Sequence, residues 1–208
     1  MKLPIGIAIC LPLFLLGACG HTSNIQPSPH AESVASAPAA KGAPALDLSG
    51  FDRVIVLDYV DATDKHKLKP SEIGTYADAV ASATRTFPEL IARKVHDSGA
   101  FKDVARGACT GEALCISGRI TRLEEGNPNL RLWIGMGAGS SYFAATTELS
   151  DAATGNAIGS VSTDKNSWPL GGAIASAQTV QSFMEGAAEK IADQLRDAKR
   201  AGAVAQIH

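Results

Sequence analysis

Between Leu3 and Leu16 the chain is almost entirely apolar, with Lys2 as a short positive stretch ahead of it. This opening decides how much of the sequence is left to build a fold. The run falls short of the about 20 apolar residues that a permanent membrane helix needs, and Pro4 and Pro12 weaken a long helix there. It has the make-up of a secretory signal core and is set aside from fold reasoning. From Gly20 to Asp47 the composition turns to Ala, Ser, Pro and His, with Pro27, Pro29, Pro38 and Pro44 spread along it. So few large apolar side chains cannot offset the entropy of ordering these 28 residues. A flexible tether with an r.m.s. reach of about 30 Å is expected. The chain thus divides into a leader at 1–18, a tether at 19–47 and a body at 48–208, long enough for a single core.

Within the body, Arg53 to Tyr59 is rich in β-branched and aliphatic residues and predicts a buried first strand. Asp61 to Pro70 is polar and loop-like. Ser71 is placed to cap an Ala-rich helical segment that Pro88 should kink or restart, and Pro88 to Asp97 makes the better helix, with Gly99 as its stop. Phe101 to Ala105 predicts a short second strand. In Ala113 to Leu123, Leu114, Ile116, Gly118 and Ile120 face one way and Cys115, Ser117, Arg119 and Thr121 the other. Ser141 to Leu149 and Ala157 to Thr163 predict two further strands, joined by the turn-rich Asp151–Asn156. Ile174 to Arg200 predicts a long amphipathic helix with Val180, Met184, Ala187, Ile191 and Leu195 on its apolar stripe, and Lys190, Arg196, Lys199 and Arg200 on its wet face. The order predicts an α+β fold: one mostly antiparallel sheet of about five strands covered by two main helices.

Two resemblances add to this reading. Leu16-Gly17-Ala18-Cys19 resembles the lipobox of bacterial lipoproteins, an aliphatic residue and two small ones before a cysteine. The resemblance implies that Cys19 carries diacylglycerol on its thiol, becomes the new N-terminus and is then N-acylated. Gly20 in place of aspartate implies the outer membrane, facing the periplasm. The stretch from Cys115 to Lys165 contains I-S-G-R-I-T-R-L-E-E-G, W-I-G-M-G-A-G-S-S-Y and T-E-L-S-D-A-A-T-G-N-A-I-G-S-V-S-T-D-K. It is similar to glycine-rich lipoprotein domains of proteobacteria that lack an assigned function. More distantly it looks like the periplasmic domain of the curli secretion lipoprotein. A pore of that kind needs strands of about 9–11 residues that cross the membrane. No such hairpin stands out here, so pore function is not carried over.

Candidate chemistry is sparse. With 19 basic and 21 acidic residues and a net charge of −2, no broad footprint for nucleic acid exists. The glycines from Gly135 to Gly139 have neither the spacing nor the following helix of a phosphate loop. They suit a bent strand or a contact loop, in which Trp133, Ile134, Met136, Tyr142 and Phe143 would meet a partner or a membrane. Cys109 and Cys115 are an even pair of thiols and suggest a disulfide, the alternative being two reduced, partly buried cysteines. Asp58, Asp61 and Asp64 lack the glycine and distal glutamate of a calcium loop. His21, His30, His66, His96 and His208 form no ligand pair. Neither a cofactor nor a metal is expected.

These observations predict a protein held to the membrane through lipid on Cys19, acting as a non-catalytic binding or assembly module of the cell envelope. An envelope protein or a second copy would be its partner. The competing readings are an envelope hydrolase built around Ser140 and an oligomeric, secretion-associated ring.

Overall fold

The computed structural model describes residues 25–27, 46–66, 68–126, 141–166 and 179–205. In chain order the elements are β1 (Ile25–Pro27), β2 (Arg53–Val56), β3 (Val60–Asp61), α1 (Ile73–Asp97), β4 (Asp103–Arg106), β5 (Leu114–Glu124), β6 (Tyr142–Asp151), β7 (Ala157–Asn166) and α2 (Val180–Ala205). The strands form one sheet in the order β1-β7-β6-β5-β2-β4, with β3 alongside β5. Both helices lie on one face, α1 over β2 to β5 and α2 over β6 and β7, packed against each other. This is the α+β architecture expected, two layers around a single core.

The sheet is mixed. The long strands β5, β6 and β7 are joined antiparallel, whereas the short strands β2, β3 and β4 run parallel to their neighbours. The cause is α1, which carries the chain from β2 across the face to β4, as parallel neighbours require. Alternation along the long strands sets the two faces. Ile116, Ile120, Leu123, Phe143, Ala145, Leu149 and Val161 are buried beneath the helices. Ser117, Arg119, Thr146, Glu148, Ser160 and Ser162 sit at the intervening positions, partly or fully exposed. The β5–β6 register shifts between Ile120 and Arg122, and this bulge returns Leu123 to the core face opposite Phe143.

α1 corrects one expectation. It does not restart at Pro88 but runs unbroken through it for 25 residues. Proline lacks the N–H that would bond the carbonyl four residues back, that of Thr84. Tyr59 supplies the missing donor, its backbone N–H reaching the Thr84 carbonyl at 3.0 Å. The same contact explains the break between β2 and β3. Leu57 N–H bonds Ile116 and Ala62 N–H bonds Ile120, both on β5, while Tyr59 between them leaves the ladder for the helix.

Within the segment ahead of the body, Ile25–Pro27 pairs antiparallel with Gly159–Val161 of β7. These three residues lie along an open sheet edge. α2 follows expectation, with Val180, Met184, Ala187, Ile191 and Leu195 all buried. Lys199 does not belong to its wet face. Its ammonium donates to the Phe51 carbonyl and, at 3.3 Å, to Asp52, and lies 5.1 Å from the centre of the Phe101 ring.

Candidate functional site

Tyr142 and Phe143, two of the residues expected to meet a partner, fall on opposite faces of β6. Phe143 is not available: it is fully buried, and its ring packs edge-on against Phe87 with centroids 4.9 Å apart. Phe87 in turn meets Tyr59 at 5.2 Å. Alternation along β6 is the reason, since Phe143 falls on the face that the helices cover. Tyr142, its neighbour, falls on the other face and is half-buried, with the Arg122 guanidinium 3.8 Å above its ring. Glu124 bonds the same guanidinium at 2.7 Å and raises its pKa further above the ordinary arginine value. Trp133, Met136 and Ser140, and likewise Cys19, lie outside the described residues.

Cys109 and Cys115 are joined as a disulfide, with Cα atoms 5.9 Å apart. Cys115 is a buried residue of β5 opposite Ile55. The bridge therefore ties the connection after β4 to the start of the long strand.

The aspartates and histidines do not converge. Asp58 pairs with Arg106. Asp61 accepts the Thr63 N–H at 2.9 Å and its hydroxyl at 2.7 Å, and faces Lys65 at 2.6 Å. Burial pulls the Asp61 carboxyl upward, but these hydrogen bonds outweigh it and hold the group below its ordinary value. Asp64 caps the His66 N–H, and His96 sits exposed beside Asp97 at 3.4 Å. Among the described residues no three His, Cys, Asp or Glu side chains are grouped to hold a metal.

Sequence reasoning passed over Arg106. With Leu57, Asp58 and Gly107 it lines an open cleft of about 500 Å³ beside the carboxyl ends of β2 and β4. All three guanidinium nitrogens are engaged, by the Val56 carbonyl at 3.1 Å, the Arg85 carbonyl at 3.4 Å and Asp58. The side chain thus fastens α1 to the sheet and presents no unspent charge to a ligand. A smaller cavity of about 170 Å³ lies where α1, α2 and the end of β5 meet, lined by Ser82, Thr86, Leu123, Glu125 and Met184 among others.

The most perturbed ionisable group is Tyr59. Burial lifts its hydroxyl well above the ordinary value of 10, opposed by a 2.6 Å hydrogen bond with Thr147. It is sealed in the core, where a reacting group would not reach it. Gly118 makes the space: a Cβ there would collide with the Tyr59 ring and the Thr146 carbonyl. The glycine noted in the sequence motif is therefore a packing requirement.

No curated protein matches the chain. Among solved structures, the PelC dodecamer from Paraburkholderia phytofirmans is similar at 17% identity and a TM-score of 0.49, covering 74% of this chain and 91% of that one. The lipoprotein GNA1162 from Neisseria meningitidis is similar at 10% identity and a TM-score of 0.30, covering 70% of this chain and 98% of that one. A family model matches residues 54–171, more than half of the sequence, from β2 past the end of β7, and the chain accordingly belongs to the DUF4410 family, a domain of unknown function.

Proposed function

We propose that this protein is a lipid-anchored, periplasm-facing component of the cell envelope that acts as a non-catalytic binding or assembly module. The observation that carries the reading is the sequence Leu16-Gly17-Ala18-Cys19 at the end of an apolar leader. A thiol is the nucleophile that takes the diacylglycerol, and small residues before it leave room for the peptidase. Two or three acyl chains, at about 0.8 kcal/mol per buried methylene, make the attachment effectively permanent. The body supports the second half of the proposal. Among the described residues, the charged side chains of the Arg106 cleft are paired with one another or with backbone, and the most perturbed ionisable group is enclosed in the core. What remains open to a partner is the polar sheet face, the Tyr142–Arg122 pair and the edge of β7.

The experiment is metabolic labelling with palmitate in cells, comparing the parent with Cys19→Ser. The parent incorporates label and fractionates with membranes, while the variant incorporates none. Absence of label from the parent would overturn the proposal. Crosslinking from a photoreactive residue at Tyr142 then tests the module: capture of an envelope protein or of a second copy is expected, and capture of nothing argues against contact at this end.

A further inference from the structure

We propose that residues 107–113 form a redox-sensitive strap across the open face of the sheet, latched by the Cys109–Cys115 bond and released when a dithiol reduces it. The topology calls for such a strap. β4 and β5 flank β2 on either side and both run parallel to it, so the chain leaving β4 must cross β2 to enter β5. It leaves at Arg106, level with Val56, and re-enters at Leu114, level with Val54. A parallel crossover ordinarily takes about a dozen residues or more, whereas residues 107–113 alone make this one. Both helices occupy the other face, which leaves the open face for the return.

Burial shows what the strap covers. Val54 and Val56 belong to the core beneath the helices, so Ile55 between them points to the open face. Ile55 is nevertheless only 2% exposed, and the Cys109 sulfur lies 4.0 Å from its carbonyl oxygen. The two ends of the strap are fastened without sulfur. Arg106 bonds the Val56 and Arg85 carbonyls and Asp58, and the Ala113 carbonyl accepts the Ala152 N–H at 2.9 Å. Between these ends, among the described residues, no backbone hydrogen bond holds residues 108–112, and Ala108, Thr110, Gly111 and Glu112 are exposed. Cys109 alone turns inward, half-buried, to reach the buried Cys115. Gly107 stands where a pivot is needed, with a φ of 136° and open space around it.

The release is a thiol–disulfide exchange. One thiolate of the dithiol attacks the Cys109 sulfur, the more exposed of the two, and Cys115 leaves as a thiolate. The second thiol then displaces Cys109 from the mixed disulfide. Two protein thiols form, their protons come from the dithiol, and the dithiol ends as its own disulfide. The ladders that join β2 to β4 and β5 contain no sulfur contact and stay closed. Freed of its latch, the strap swings about Gly107, uncovers Ile55 and widens the cleft that Gly107 lines with Leu57, Asp58 and Arg106. The acylation of Cys19 proposed above plays no part in this device.

The test uses the full chain in detergent, with and without dithiothreitol, digested briefly with a glutamate-specific protease. Cleavage after Glu112, read by mass spectrometry, becomes about tenfold faster or more on reduction. Carbene footprinting of the Ile55 side chain rises at least about threefold in the same sample. Hydrogen exchange in β5, β6 and α2 stays as it was. Cys109→Ser with Cys115→Ser is cut at the fast rate under both conditions, and the parent carries the test if that variant does not accumulate. Equal cleavage and equal footprints with and without reductant overturn the strap. Loss of exchange protection throughout the sheet also overturns it, because the bridge would then support the whole fold. Brief exposure to a monothiol, glutathione, places the adduct on Cys109 at least about fivefold more than on Cys115, and an adduct chiefly on Cys115 overturns the stated direction of attack.

Discussion

Pro88 removes one N–H from the middle of α1, and a backbone group from well before the helix, that of Tyr59, replaces it. Tyr59 is the residue on which this part of the molecule turns. Its N–H completes α1 at Thr84, its ring fills the space left by Gly118, and its hydroxyl meets Thr147 on β6. Tyr59→Phe leaves the first two contacts and removes the third, stranding the Thr147 hydroxyl in the core at a cost of about 1–2 kcal/mol near neutral pH. The pH dependence has a definite sign. The folded hydroxyl holds its proton above the ordinary value of 10, whereas the unfolded chain releases it there. The stability this confers is complete below pH 10 and falls as the pH rises through the folded value, by up to about 1.4 kcal/mol per pH unit. Urea midpoints measured from pH 9 to 11 should fall more steeply for the parent than for Tyr59→Phe, and parallel curves would refute the assignment. Gly118 and Tyr59 were both visible in the sequence, but nothing there said that one makes room for the other. Their encounter depends on β3 lying beside β5.

At the scale of elements, legibility follows from how much of an element one face buries. α2 buries Val180, Met184, Ala187, Ile191 and Leu195 at three- and four-residue steps, and β5 carries a plain alternation up to its bulge. Both are read directly from periodicity. The strands β2, β3 and β4 are four residues or fewer and have no room to display a period, so their parallel pairing is silent in the sequence. β1 has only three residues and ends in proline. The Asp151–Asn156 turn is legible for a chemical reason. Asp151 accepts the Ala153 N–H at 2.8 Å and the Thr154 hydroxyl at 3.0 Å, and Gly155 takes a φ of 72°. The disulfide belongs to this scale too, because it fastens the β4–β5 connection to the strand it enters. Replacing both Cys109 and Cys115 by serine should lower stability by about 2 kcal/mol in the chain-entropy account of a short loop. Equilibrium urea unfolding of the parent with and without reductant, beside the double variant, checks this. Identical midpoints in all three would show that the bridge contributes nothing.

For the whole molecule, the decisive feature is a single sheet with helices on one side and two edges. The β4 edge is short, and Arg53 and Asp103 cross between β2 and β4 beside it at 2.8 Å. The β7 edge is long, and β1 covers part of it. A chain beginning at Leu46 retains the packed core but loses β1, exposing a strand edge of the kind that recruits further chains. Light scattering should show its mean mass rising with concentration, while a chain beginning at Gly20 holds constant under the same conditions. Equal behaviour of the two would mean that β1 does not guard the edge. Taken by itself, the sequence determined the apolar leader and its cysteine, the α+β class, and the long strands and terminal helix, because each is written in local composition or in the period of one buried face. The tertiary structure alone decided the parallel pairings, the unbroken helix through Pro88, the burial of Phe143 and the capture of Ile25–Pro27 by the sheet. Those outcomes depend on a donor, an acceptor or a covering layer supplied from far along the chain, and such a partner leaves no periodic trace where it binds.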